Sequence, residues 1–419
     1  MAADPPPRIL LIGTADTKSD ELLYLRERIE AGGGTARIMD VGILGDAPFA
    51  PELANAEVAA AAGTTLAQLA ALGDENAAMA GMARGAALLT GQLYAAGRID
   101  GLLALGGTMG TDLALDAAAA LPLGVPKVVV STIAYSHLLP AERIPADLIM
   151  LLWSGGLYGL NSLCRASLAQ AAGAVLGACR QAAPPRFERP LVGITSLGSS
   201  VLSYMKRLKP ALEARGYEVA VFHTTGMGGR AFEDLAERGR FAAVFDFSQQ
   251  ELANHLGGSC VTAGASRLTG AGRAGTPQIV APGATDMVDF PAWAAPPARL
   301  AGRPSHAHNR LIASSLCDAA LRREVAREIG TRLGNARGPS CLLLPLRGIE
   351  EWDRAGQALH DAGGLAAFVA ELRAAIRAPT DLVEVDAHIN DAAFSDAALA
   401  LFDDWAAAGR IAPGAATPA

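Results

Sequence analysis

Short apolar runs alternate with Ala-rich stretches of helical length along nearly the whole chain, and this alternation restricts the fold more than any other feature of the sequence. Runs such as Ile9-Leu10-Leu11-Ile12 and Val128-Val129-Val130 have no polar face. Such segments suit a parallel sheet covered by helices on both faces, the α/β arrangement. In the first half, 8–12, 36–40, 101–105, 127–130 and 148–152 read as strands, and 20–31, 55–63, 76–97, 111–120 and 162–180 read as helices. Residues 181–190 then carry three Pro in ten, the strongest boundary signal in the chain.

Beyond that boundary the alternation restarts. Strands are expected at 191–195, 218–223, 243–247, 278–281, 341–344 and 382–386, and helices at 203–215, 231–239, 314–333 and 365–378. The expected fold is therefore α/β, with two doubly wound Rossmann-like domains on mainly parallel sheets, spanning 1–182 and 190–410. The Pro-rich stretch 283–310 shows no periodic element and reads as a long loop of the kind that carries function or moves.

Composition narrows the function classes. Hydrophobic residues make up 51% of the 419, too many for a disordered chain. No window reaches 18 uninterrupted apolar residues, and the start of the chain lacks a basic, apolar leader, so a cytoplasmic protein without membrane association is expected. A formal charge of −7 without clustered Lys and Arg argues against nucleic-acid binding. The five Cys have no metal-ligand spacing and read as free thiols; no metal site is expected from them. Only Lys18, Lys127, Lys206 and Lys209 are Lys among 35 basic residues, which makes each worth inspecting.

Ligands of parallel sheets bind beyond the carboxyl ends of the strands, where loops diverge and helix N-termini offer N–H groups. After the first strand comes Gly13-Thr14-Ala15-Asp16-Thr17-Lys18, and after the third Gly106-Gly107-Thr108-Met109-Gly110-Thr111. Glycines there leave main-chain amides free to form an anion nest, with Thr hydroxyls and Lys18 as further donors. Neither loop is a P-loop or a dinucleotide fingerprint. Lys127 starts its strand, the wrong end for a ligand. In the second half, Thr195, the turn Gly226-Met227-Gly228-Gly229 and Asn309 read as substrate-binding, and His223, Asp286, His308 and Asp391 as acid–base candidates.

These motifs together resemble the Tm-one-like ATP-binding family, whose plant relative forms the N-terminal region of a tomato mosaic virus resistance protein. The resemblance is carried by Gly13–Lys18, Gly106–Thr111, Leu121–Lys127 with Val130–Thr132, Phe222–Arg230, Gly257-Gly258, Pro282–Met287, His308-Asn309, Gly338-Pro339 and His388–Asp391, in order over nearly the whole chain. It implies two Rossmann-like domains, a homodimer, and ATP, alone or with magnesium, held by Thr14, Asp16, Thr17, Lys18, Gly106, Gly107, Thr108, Gly110 and Thr111. The sequence departs from the family pattern at Ser131–Ser136, Thr195–Ser200 and Asp246–Glu251. The leading expectation is a nucleotide-binding protein with a small anionic ligand in a cleft between domains. The alternatives are an acid–base hydrolase or lyase acting on a small carboxylate or phosphorylated metabolite, and a non-catalytic regulatory or inhibitor protein.

Overall fold

The computed structural model describes residues 5–182, 185–198, 200–357 and 359–415. Residues 183–184 of the Pro-rich boundary and Ser199 of the divergent loop lie outside that set. Contacts divide the chain between Arg186 and Phe187 into two compact units.

Unit 1 runs β1 (Arg8–Gly13), α1 (Ser19–Ala31), β2 (Thr35–Asp40), α2 (Asn55–Ala61), α3 (Leu66–Ala70), α4 (Glu75–Ala95), β3 (Gly101–Gly106), α5 (Thr108–Ala119), β4 (Lys127–Ser131), β5 (Ile149–Leu152) and α6 (Ser162–Gln181). The five strands are parallel, in the order β2-β1-β3-β4-β5. Successive side chains of a strand face opposite ways. Accordingly, Leu10 and Ile12 join the core that includes Met82, Leu113 and Ala117 of α4 and α5, whereas Ile9 and Leu11 join Leu22, Leu25 and Leu168 of α1 and α6.

Unit 2 runs β6 (Leu191–Ser196), α7 (Met205–Ala214), β7 (Glu218–His223), α8 (Met227–Glu237), β8 (Ala243–Ser248), α9 (Gln250–Leu256), α10 (Gly270–Ala274), β9 (Gln278–Gly283), β10 (Met287–Pro291), β11 (Ser305–Ala307), β12 (Ile312–Leu316), α11 (Ala319–Gly334), β13 (Ser340–Pro345), α12 (Ala362–Ala375), β14 (Asp381–Val385) and α13 (Ala392–Ala407). Its main sheet is parallel, in the order β14-β13-β9-β8-β6-β7. Ile279 and Ala281 of β9 face a core with Phe245, Phe394 and Phe402, while Val280 faces Leu321, Val325 and Ile329 of α11.

The stretch expected to be a long loop is instead structured. β10 and β11 lie antiparallel to β12 in a separate three-stranded sheet. Strands of three to five residues, with Ser and Asp in buried positions, produce no readable alternation. The same sheet corrects the expected helix at 314–333: Ile312–Leu316 is extended, and α11 begins only where the Asp318 carboxylate accepts the Leu321 N–H at 2.6 Å. Helices α3, α9, α10 and α13 were not anticipated.

Arg267 is the largest fully buried side chain among the described residues and lies between three carboxylates from three elements. It donates to both oxygens of Asp246 at 2.6 Å, to Glu251 at 2.8 Å and to Glu233 at 2.9 Å, so one cation ties β8, α9 and α8 together. Glu233 also accepts the N–H groups of Leu268, Thr269 and Gly270, closing the start of α10. Burial pushes Glu251 up to about 7 and raises Glu233 against the opposing pull of Arg267.

Removing one partner of such a network leaves uncompensated buried charge. Arg267→Met is expected to destabilise unit 2 by about 3–5 kcal/mol at pH 7. In urea unfolding the deficit should shrink as pH is lowered, because the orphaned carboxylates then take up protons. A deficit below about 1 kcal/mol would show that the network contributes no more than a surface pair.

Candidate functional site

In unit 1 the strand order reverses between β1, which leads outward to β2, and β3, which leads the other way to β4 and β5. The loops beyond their carboxyl ends must diverge at that point. A cavity of about 590 Å³ lies there, lined by Thr14, Thr17, Lys18, Gly106, Gly107, Thr108, Gly110, Thr132 and the segment Ser154–Tyr158. That volume is ordinary for a small-molecule pocket, which spans roughly 300–1,000 Å³.

The wall of this cavity is donor-rich. α5 starts at Thr108, so its first-turn amides have no acceptor within the helix. Lys18 Nζ donates to the Thr17 carbonyl at 3.3 Å, stands 5.1 Å from the Tyr158 ring centroid, and forms no ion pair among the described residues. The hydroxyls of Thr14 and Thr17 are 2.7 Å apart. A Cβ on Gly106 would come within 2.6 Å of Gly110 backbone atoms, so glycine there permits the tight strand-to-helix turn. A Cβ on Gly107 would meet only Thr132 Oγ1, at 3.8 Å, leaving open space over the helix start.

Two residues assigned to this site lie differently. Thr111 is fully buried, with its hydroxyl 2.7 Å from Ser131 Oγ, and it joins α5 to β4 rather than facing the cavity. Asp16 lines an adjoining, more apolar cavity of about 400 Å³ with Leu69, Ala78 and Met79. Its Oδ1 is buried without a hydrogen-bond partner among the described residues. Lys127 is buried at the start of β4, donating to Pro122 O at 2.9 Å, Val125 O at 3.0 Å and Asp147, as its place in the strand implied. The Ser154–Tyr158 contribution was missed, although a Gly pair after an apolar strand was the available signal.

Unit 2 repeats the reversal, now between β6 and β8, but its Gly-rich turn is filled from within. Glu251 Oε1 accepts the Gly226 N–H at 2.6 Å and the Gly229 N–H at 3.1 Å. A Cβ on Gly229 would fall 1.7 Å from Glu251 Oε2. A Cβ on Gly228 would fall 1.8 Å from the His223 carbonyl. The anion in this nest is therefore the protein's own carboxylate, which corrects the substrate-binding expectation for Gly226, Gly228 and Gly229. Thr195 is corrected likewise: it is buried, donates to Asp246 at 2.7 Å and accepts the Ser248 N–H at 3.0 Å.

Of the remaining candidates, the structure brings together His223, His308 and Asn309. They line a cavity of about 260 Å³ with Ser200, Thr225, Gln250, Asp289, Ser314 and Trp352. The histidines and Asn309 stand at its exposed mouth, and Asp289 and Gln250 are buried. Burial pushes Asp289 up to about 6 against the Ser314 hydroxyl, which donates to its carboxyl. His223 is held below the ordinary imidazole value, first by partial enclosure and then by neighbouring His308. Asp289 and Gln250 were not singled out from the sequence; a carboxyl inside the apolar run Met287–Phe290 was the overlooked signal.

Asp286 and Asp391 do not join this cavity. Asp391 heads α13, accepts the His388 N–H at 3.0 Å and pairs with Arg354 at 3.1 Å. Asp286 is buried beside Arg322, Asp353 and His360, lining a different cavity of about 460 Å³. Burial and the facing carboxyls push Asp286 and Glu350 above the ordinary carboxylate range, and Asp286 Oδ1 and Glu350 Oε1 lack hydrogen-bond partners among the described residues. A raised carboxyl holds its proton more firmly in the folded than in the unfolded chain, so its contribution to stability falls as pH rises above the ordinary carboxylate range. Asp286→Asn is expected to flatten the dependence of urea stability on pH between 5 and 8 and to stabilise unit 2 at pH 8 by on the order of 1–3 kcal/mol. Equal destabilisation at both pH values would instead mark an ionised, structurally required carboxylate.

Comparison with known proteins places the chain in a family. Residues 7–184 match the N-terminal domain of the uncharacterised protein family UPF0261, and residues 189–406 match its C-terminal domain. A UPF0261 protein of Brucella melitensis is 55% identical over 97% of this chain and 98% of its own length. The ToMV resistance protein Tm-1(GCR237) of Solanum lycopersicum is 27% identical over 93% of this chain and 55% of its own length. Among solved structures, the SsfS6 glycosyltransferase of Streptomyces shares 15% identity at a TM-score of 0.18, covering 66% of this chain and 81% of that one, a likeness that carries nothing about activity. With both domains matched in order, the chain belongs to the UPF0261 family.

Proposed function

We propose that unit 1 is a nucleotide-binding module that takes ATP or a close phosphorylated relative at the β1/β3 switch point. The observation that carries this reading is the donor-rich cavity itself, in which the start of α5 and Lys18, which has no ion pair among the described residues, face one space of about 590 Å³. Helix N-termini and glycine-bounded amides attract phosphate, and Lys adds a point charge. Gly106, Gly107, Thr108, Gly110 and Lys18 would hold the phosphates, with Thr14, Thr17 and Thr132 supplying hydroxyls. Asp16, beside the adjoining apolar cavity, suits a sugar hydroxyl or a magnesium ion. Bound ATP would supply its phosphoanhydride charge to this site; the protein's part is to bind and orient it.

Thermal unfolding with ATP, ADP, GTP and NAD, each with and without magnesium, tests the reading. At one hundred times its dissociation constant a nucleotide should raise stability by about 2.7 kcal/mol, an upward shift of roughly 5–10 °C for a domain of this size. Gly107→Ala should leave the ligand-free midpoint unchanged and weaken binding in calorimetry about tenfold or more, because its added methyl enters the open space over α5. Lys18→Ala should weaken binding in the same direction. The reading fails if no nucleotide shifts the wild-type midpoint.

A further inference from the structure

The cavity of unit 2 contains none of the residues proposed to hold a nucleotide, yet its donors and acceptors are arranged for a ligand. Gly198 N–H donates to His223 Nδ1 at 3.4 Å, so the proton of the neutral ring lies on Nε2 and His223 acts as a donor. Asn309 Oδ1 already accepts the Leu311 and Ile312 N–H groups, at 2.7 and 3.0 Å, which leaves its amide hydrogens for another acceptor. Thr225 and Ser200 add hydroxyls to the lining. An acceptor-rich molecule fits such a mouth, and a carboxylate is the simplest one.

The floor asks for something different. Gln250 is fully buried beside the Asp289 carboxyl, and neither its Oε1 nor its Nε2 meets a hydrogen-bond partner among the described residues. A buried acceptor without a donor costs about 1–3 kcal/mol, which a ligand hydroxyl would relieve. The volume of about 260 Å³ lies just below the roughly 300–1,000 Å³ of drug-sized pockets and so suits a small metabolite.

We infer that this cavity binds a small hydroxycarboxylate, its carboxylate at His223, His308 and Asn309 and its hydroxyl at Gln250. The charge of His308 acts on both His223 and Asp289. His306 lies against the same Trp352 ring as His308, with ring centroids 4.6 and 5.5 Å from it. Glu350, on the Trp352 turn, directs Oε2 to the Trp352 N–H at 2.6 Å and is kept protonated by burial and Asp286.

Calorimetry of the full chain with malate tests the site, and saturable one-to-one binding is expected. His308→Gln should weaken that binding, whereas His306→Gln should leave it unchanged. Succinate, which lacks the hydroxyl, should bind more weakly than malate to wild type, and Gln250→Leu should erase that difference; unchanged urea midpoints would establish that the variants fold. Absence of malate binding at millimolar concentration, unchanged affinity in His308→Gln, or inorganic phosphate binding as tightly as malate would each overturn the assignment. The outcome is separable from the nucleotide reading, which concerns residues of unit 1 alone.

Discussion

The buried guanidinium of Arg267 is the constraint on which the functional end of unit 2 depends. Three carboxylates with so little exposure could not coexist without a cation among them, and the Arg fork meets Asp246 with two nitrogens while Nε reaches Glu251. Glu251 is thereby fixed where its other oxygen receives the amides of Gly226 and Gly229. The start of α8, the end of β8 and the first turn of α9 are consequently held in one geometry. Gln250, at the head of α9, and His223, just before the Gly turn, inherit their positions from it.

The two units use one architectural device in different ways. In each, a parallel sheet reverses its strand order beside its first strand, and Gly-rich turns follow strands at that edge. In unit 1 the start of α5 faces open space and Lys18 is unpaired among the described residues. In unit 2 the corresponding chemistry is satisfied internally by Glu251, and the vacant space lies instead against the small antiparallel sheet. Electrostatics accounts for the difference: a buried carboxylate that already has Arg267 as counter-ion can occupy an anion nest at little further desolvation cost.

The antiparallel sheet also explains why the acid–base candidates separate. β10 carries Asp289 inward, and the turn before β12 brings His308 and Asn309 to the mouth of the same cavity. Asp286, only three residues before Asp289, lies on the turn between β9 and β10 and enters a different buried cluster with Asp353 and Arg322. A reading that placed all four candidates near strand ends in one linear chain could not see that a short reversal sends neighbouring residues to different interiors.

By itself the sequence determined the two-fold repetition of covered parallel strands, because uninterrupted apolar runs such as Leu102–Leu105 and Leu342–Leu344 have no stable place except a sheet buried on both faces. It also determined the strand-end positions of Gly13–Lys18 and Gly106–Thr111, since Gly and Thr after such runs mark a sharp turn into a helix. Tertiary structure decided which of the Gly-rich turns stays open, because Glu251 lies more than twenty residues beyond Gly229 and nothing local pairs them. It likewise decided that Thr111 and Thr195 face inward to Ser131 and Asp246, and that Asp289 and Gln250 meet His308 in one cavity. Those outcomes depend on contacts between distant segments, where burial and hydrogen-bond satisfaction, rather than local residue pattern, select the partner.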